Sequence, residues 1–206
     1  MKNICTFILI CLFNAFYAQN IENPINSLKG KRDFIYGIDN RRTHIKEQST
    51  VIYGAYLGFG FDEKLRLKLG LSGTPFEVGR TEDAQGDITR HRLVFLTVGE
   101  EFDFFIRNRF RSTTYVQVGA GFDFSRIIYS NGGISQISRN AIVPIEFGLH
   151  FNYDVYPWLR TKLGGGWRIV LPNDSRELSG YYIKAGFGFS FKKFKHWNQG
   201  KKSKII

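Results

Sequence analysis

The sequence predicts one all-β domain: an eight-stranded antiparallel up-and-down transmembrane β-barrel that follows a cleaved N-terminal signal peptide. Three observations carry the prediction. Segment after segment alternates apolar with polar or small residues, as side chains do when they take turns on the two faces of a strand. About eight such segments occur, most of them long enough to cross a bilayer at a tilt, which takes roughly 9–11 residues. Their connections alternate between long and short, which gathers the short turns at one end of a barrel.

The chain has 206 residues and opens on a leader. Lys2 precedes an apolar run from Ile4 to Phe13, and Asn14–Ala18 ends it with small residues, so cleavage is expected after Ala18. That run is too short to span a bilayer as a helix, which needs roughly 20 apolar residues. Both cysteines, Cys5 and Cys11, fall inside the leader. The exported chain therefore has no thiol for a disulfide, a metal or a nucleophile. Residues 19–32 follow as a turn-prone periplasmic segment containing Asn23-Pro24 and Lys29-Gly30.

The barrel is expected over 33–194. Asp33–Asp39 puts Phe34, Tyr36 and Ile38 on one face, and Asn40–Gln48 reads as a charged loop. Ser49–Phe61 sets Val51, Tyr53, Ala55, Leu57 and Phe59 against Ile52, Gly54, Tyr56, Gly58 and Gly60. Lys64–Val78 alternates most cleanly, with Leu65, Leu67, Leu69 and Leu71 opposite Lys64, Arg66, Lys68 and Gly70. A helix would scatter those leucines round its circumference, so the period of two makes this a strand. Gly79–Arg90 is a loop. In His91–Phe102, Val94, Leu96 and Val98 share a face with Glu100, and a bulge near Gly99 would move that carboxylate off it.

Arg109–Ile127 opposes Val116, Val118 and Phe122 to Tyr115, Gln117 and Asp123. Ser130–Asn140 reads as a flexible loop. Ala141–Tyr153 opposes Ile145, Phe147 and Leu149 to Glu146 and His150, and Pro144 suggests a strand end or a bulge because it has no amide to donate. Trp158–Leu171 opposes Leu163 and Ile169 to Arg160, Lys162 and Arg168. After the loop Pro172–Ser179, Tyr181–Phe194 closes the barrel, with Ile183, Phe187 and Phe189 opposite Lys184 and two glycines. Residues 195–206 form a basic tail.

Alternation alone leaves open which face is oily, since a soluble barrel that carries an apolar ligand has the same period. Unbroken Leu, Val, Ile and Phe stripes are too bulky for a small lumen, and glycines are at home on a crowded inner face. Aromatics also collect near the short turns, where a membrane girdle lies. The lipid-facing set is then Leu65, Leu67, Leu69, Leu71, Val116, Val118, Phe122, Ile145, Phe147, Leu149, Leu163, Ile183, Phe187 and Phe189. Inside, Lys64, Arg66, Lys68, Arg160, Lys162, Arg168 and Lys184 meet Glu101, Asp123, Glu146 and His150. Eight staves enclose a space that side chains fill, and charges held there must pair. The expectation is a closed lumen crossed by ion pairs.

The net charge of +11 would ordinarily suggest nucleic acid. Its distribution, with lysines crowded at the end and cations spaced within strands, favours lipid phosphates instead. The expected partners are outer-membrane lipid and lipopolysaccharide, with an extracellular or periplasmic protein partner open and no nucleic acid.

The leader, the alternating strands and the closing FGFSFKKF resemble the small outer-membrane β-barrel proteins of Gram-negative bacteria. The tone is that of the Bacteroidota-type or PorT-like proteins, and the architecture that of OmpX and the OmpA membrane domain. The resemblance runs from about Asp33 to Phe194 and implies a cell outer-membrane location and no site residues. HWNQGKKSKII departs from it by continuing past the terminal aromatic.

Some small barrels modify lipid A, and such chemistry needs a His near a Ser with an orienting carboxylate. His44 and His91 lie near the long-loop end, with Ser49, Ser130 and Ser175 as hydroxyls and Asp83, Asp174 or Glu177 as carboxylates. Nothing in their spacing connects them, and solvated loop histidines are the plainer reading. No cofactor and no metal site is expected. The function read from sequence is a structural or interaction scaffold displaying extracellular loops, with a lipid A-modifying enzyme or a soluble carrier as alternatives.

Overall fold

The computed structural model describes residue 28 and residues 31–45, 48–62, 64–82, 86–130, 133–172 and 178–202. The expected signal peptide, nearly all of 19–30 and the end of the tail lie outside the described residues, as do Asp83, Asp174, Ser175 and Glu177. The strands are β1 (Arg32–Ile45), β2 (Gln48–Phe61), β3 (Leu65–Gly73), β4 (Val78–Glu82), β5 (Ile88–Arg107), β6 (Phe110–Ile128), β7 (Ile134–Tyr156), β8 (Leu159–Leu171) and β9 (Gly180–Ser190). One helix, α1 (Phe191–Lys202), ends the described chain.

Each pairing is antiparallel, and β9 returns to β1 with Tyr36 opposite Phe189 and Arg41 opposite Lys184. The sheet is thereby a closed ring. β3 and β4 both pair with β5, so they are two pieces of one stave and the barrel has eight. The expected single strand Lys64–Val78 is broken by Pro75, which has no amide to donate to the ladder. Thr74 bridges the break: its amide donates to the Leu93 carbonyl at 2.9 Å, and its hydroxyl accepts from the Leu93 amide at 3.1 Å.

Several expected loops are strand. Asn40–Ile45 continues β1, with Arg42 opposite Val51 and Ile45 opposite Gln48. Val78–Glu82 and Ile88–Arg90 are paired, and β6–β7 extends through Ile128 opposite Ile134. Apolar alternation stops where the sheet leaves the oily zone, although the hydrogen-bonded ladder continues. The bulge expected near Gly99 is absent: the β5–β6 register is unbroken to Asp103 and shifts between Asp103 and Phe105. Glu100 therefore stays on the outer face, exposed, between Leu67 and Val116.

Pro144 lies within β7 and causes no shift; the register on both sides of it is the same. Across from it Gly119 leaves room for the ring, since a Cβ there would sit 2.9 Å from Pro144 Cγ. The closing strand stops at Ser190, and Phe191–Phe194, expected to extend it, begin α1 instead.

Burial gives the barrel its sidedness. Leu57, Leu69, Leu71, Leu96, Val98, Val118, Leu163 and Ile183 on the outer face are all exposed. The inner face holds Arg41, Lys68, Glu101, Glu146, Arg168 and Lys184, all buried. A soluble fold does the reverse.

Candidate functional site

Inward-pointing residues fill the lumen in layers. At the long-connection end Ile45, Ile52, Leu93, Phe95, Ile142, Val170 and Leu178 form an apolar plug. Below it Glu146 accepts from Arg168 Nε at 2.7 Å and lies 3.1 Å from Arg41 NH1, while Gln117 also donates to it. Asp39 stands 3.2 Å from both Arg41 and Lys184. Tyr115 and Tyr182 join their hydroxyls beside these pairs. They fit because their neighbours are glycines: a Cβ on Gly166 would stand 2.8 Å and 2.9 Å from the two phenol oxygens.

Glu101 is the next centre, and its side chain is 0% exposed. Lys68 donates to it, Lys162 Nζ lies 3.0 Å away, Arg66 Nε 3.1 Å and His150 Nε2 3.7 Å. The Tyr56 ring receives the same two ammoniums, with Lys68 at 4.4 Å and Lys162 at 4.7 Å from its centroid. Nearer the short turns, Asp103 binds Arg66, Arg111 and Thr113, and Asp154 takes Arg111 at 3.1 Å and Arg160 at 2.6 Å.

Of the expected inward set, Arg66, Lys68, Glu101, Glu146, His150, Arg160, Lys162, Arg168 and Lys184 meet in these layers. Lys64 sits in the β2–β3 turn, half-buried. Asp123 stands apart, with its Oδ2 2.8 Å from His91 Nδ1. Sequence reasoning missed Asp39, Arg41, Asp103, Arg111 and Asp154. Continuing the odd parity of β1 from Gly37 through Asp39 and Arg41 would have found the first two.

On the outer face the expected set is in place by parity, but Leu65 is buried with Phe61 and Phe102 rather than exposed. Phe122 is half-covered beneath Arg139, whose guanidinium carbon lies 3.6 Å from the ring centroid. Toward the long-connection end this face turns basic, with exposed Arg42, Arg90, Arg92 and Arg139 and half-buried Arg126. Glu77 meets Arg126 at 3.4 Å and Arg90 at 3.9 Å. There β4–β5–β6–β7 runs past the rest of the barrel. β7 pairs with β8 only from Val143 onward, so its edge over 134–142 has no partner strand among the described residues.

Among the described residues the histidines assemble no triad. His91 and Asp123 form a dyad, yet no hydroxyl bonds to the buried His91 Nε2. Ser49 is taken by Arg42 Nε at 3.3 Å, and His44 packs on Tyr181 at the outer face. Glu146 and His150, four residues apart, turn to different partners. Among the described residues no group of three His, Cys, Asp or Glu converges as a metal site.

At the short-turn mouth a cavity of about 290 Å³ opens between the barrel and α1, lined by Lys31, Arg32, Trp158, Arg160, Lys192 and His196 among others.

No family model and no curated protein matches this chain. Solved structures do. A major outer membrane protein from Thermus thermophilus shares 9% identity over 77% of this chain and 99% of its own, with a TM-score of 0.53. Ail, the attachment invasion locus protein of Yersinia pestis, shares 13% over 79% and 99%, TM-score 0.49. Neisserial surface protein A shares 13% over 78% and 97%, TM-score 0.46. At such identities the Thermus likeness speaks to architecture: the fold is that of an outer-membrane β-barrel.

Proposed function

We propose that this chain is an integral protein of the outer membrane, a barrel with a closed lumen that serves as an interaction scaffold rather than a pore or an enzyme. One observation carries the reading: the ring exposes leucine, valine and phenylalanine all round its waist and buries lysine, arginine and glutamate inside. Hydrocarbon is the solvent that rewards such an arrangement, since each ladder is satisfied internally and the oily side chains meet lipid. The apolar plug and the buried ion pairs support a lumen closed to ions rather than a conducting one.

What remains for function is the long-connection end. A four-stranded fin whose edge at 134–142 has no partner strand among the described residues offers main-chain groups to an extended protein segment, the mode in which a strand adds to a sheet. On the outer face of the same end Arg42, Arg92, Arg126 and Arg139 form a cationic patch above the oily waist, suited to lipopolysaccharide phosphates. The enzyme reading has a His–Asp pair, but Ser125, opposite His91 on β6, makes no hydrogen bond to His91 Nε2.

Membrane fractionation with heat-modifiable gel mobility tests the location. The folded barrel is expected in the membrane fraction, with a mobility that changes on boiling. Recovery in the aqueous fraction would overturn the proposal.

A further inference from the structure

We infer that α1 is a phospholipid-binding helix that lies in the head-group layer at the short-turn end and prefers anionic lipid; this rests on the membrane reading above. The helix is fixed in place by its first turn. Ser190 caps it, its hydroxyl accepting from the Lys193 amide at 3.3 Å and donating to the Asp33 carboxylate. Asp33 in turn accepts from the Lys192 amide at 3.3 Å. The start of β1 and the end of β9 thus hold the helix level with the barrel rim. A twelve-residue helix is marginal by itself, so this anchor is what forms it.

From there α1 runs along the rim. Phe194 and Trp197 pack on Trp158 with ring centroids 5.2 Å and 6.0 Å away, and Trp197 is 6.2 Å from Tyr156. Trp158 also stacks on Phe189 at 6.3 Å, and Phe189 on Tyr36 at 5.1 Å. An unbroken path of rings therefore joins the oily waist to the helix. That continuity identifies what covers the helix: the lipid around the waist reaches it.

The composition of α1 agrees. Its sequence FKKFKHWNQGKK has five lysines and no carboxylate. Phe191 remains 59% exposed and Phe194 42% exposed after the helix has docked. Rings at the level of the acyl ester groups with ammoniums reaching the phosphates is the chemistry of an interfacial helix. Lys31 and Arg32 at the adjoining mouth add cations to the same rim. A soluble acidic partner would engage the lysines but would leave those rings beside the waist uncovered.

The test uses the full chain with Cys5→Ser and Cys11→Ser, its only native cysteines. A spin label is placed at N198C or, separately, at I183C, in nanodiscs of phosphatidylcholine with or without phosphatidylglycerol. With phosphatidylglycerol the label on the helix is expected to be immobile and reached by oxygen better than by an aqueous nickel relaxant. Without it, motion and nickel access rise. In Lys192→Gln/Lys195→Gln the preference for the anionic lipid falls, roughly fivefold per lysine removed. An identical helix signal in both lipids, or a preference that survives the substitutions, overturns the inference alone. Nickel access at the I183C label overturns the membrane reading beneath it.

Discussion

Glu101 is the place where the lumen is most easily tested. Substituting Glu101→Gln keeps the shape and removes the charge. Lys68 and Lys162 then lose their only ion-pair partner among the described residues, with side chains 7% and 2% exposed. Arg66 keeps Asp103. Stranding one buried partner in this way costs about 3–5 kcal/mol. With a urea dependence near 2 kcal/mol per M, the unfolding midpoint in a fixed lipid or detergent drops by about 2 M. The readout is the loss of heat-modifiable mobility against urea. Adding Lys162→Met should restore part of the stability, because one uncompensated ammonium is gone, with a coupling of roughly 1–3 kcal/mol. Glu100→Gln is the control one residue away. It neutralises an exposed carboxylate on the outer face and should leave stability unchanged or raise it. If Glu101→Gln stays within about 1 kcal/mol of the native chain, or the control falls as far, the charge-centred account of the lumen is wrong.

Other outcomes follow from the same geometry. Leu69→Arg places a cation on the exposed waist and should reduce folding by about 2–4 kcal/mol if that position is near the mid-membrane, read as a loss of the fast-migrating folded band. Gly166→Val should disrupt the Tyr115–Tyr182 pair, because the new side chain meets both hydroxyls and the Phe147 carbonyl. Overpacking of this kind costs about 1–3 kcal/mol, and Tyr115→Phe in the same chain should not fully rescue it, since the Phe147 carbonyl and the Tyr182 hydroxyl remain in the way. In planar bilayers the native protein should give no sustained conductance; stable open steps would contradict a sealed lumen.

Much of this could be read from the chain, and the exceptions have physical causes. The waist was legible because lipid and lumen make opposite demands on alternate residues, as in the run from Leu65 to Leu71. Above the waist the outer face turns polar, so Asn40–Ile45 and Ile134–Asn140 lost the apolar stripe while remaining strands. Glu100 was misjudged because the pattern was assumed to exclude any outward charge. Phe191-Lys192 continues the period of the closing strand, but Ser190 and Asp33 supply a helix cap. That cap depends on a residue 157 positions away. The lumen network was half visible: cations within clean alternation stood out, whereas Asp103, Arg111 and Asp154 lie where turns begin and parity is lost.

The seam between β1 and β9 joins the first stave to the last. No intermediate length of chain can complete the cylinder, so every partial product has two raw margins and an unbalanced interior. Gly180–Ser190 supplies both the closing ladder and Lys184, which joins Arg41 as a second counter-ion for Asp39 on the first stave. Closure of the ring thus waits on β9, and a chain cut short before Gly180 leaves β1 without its β9 partner.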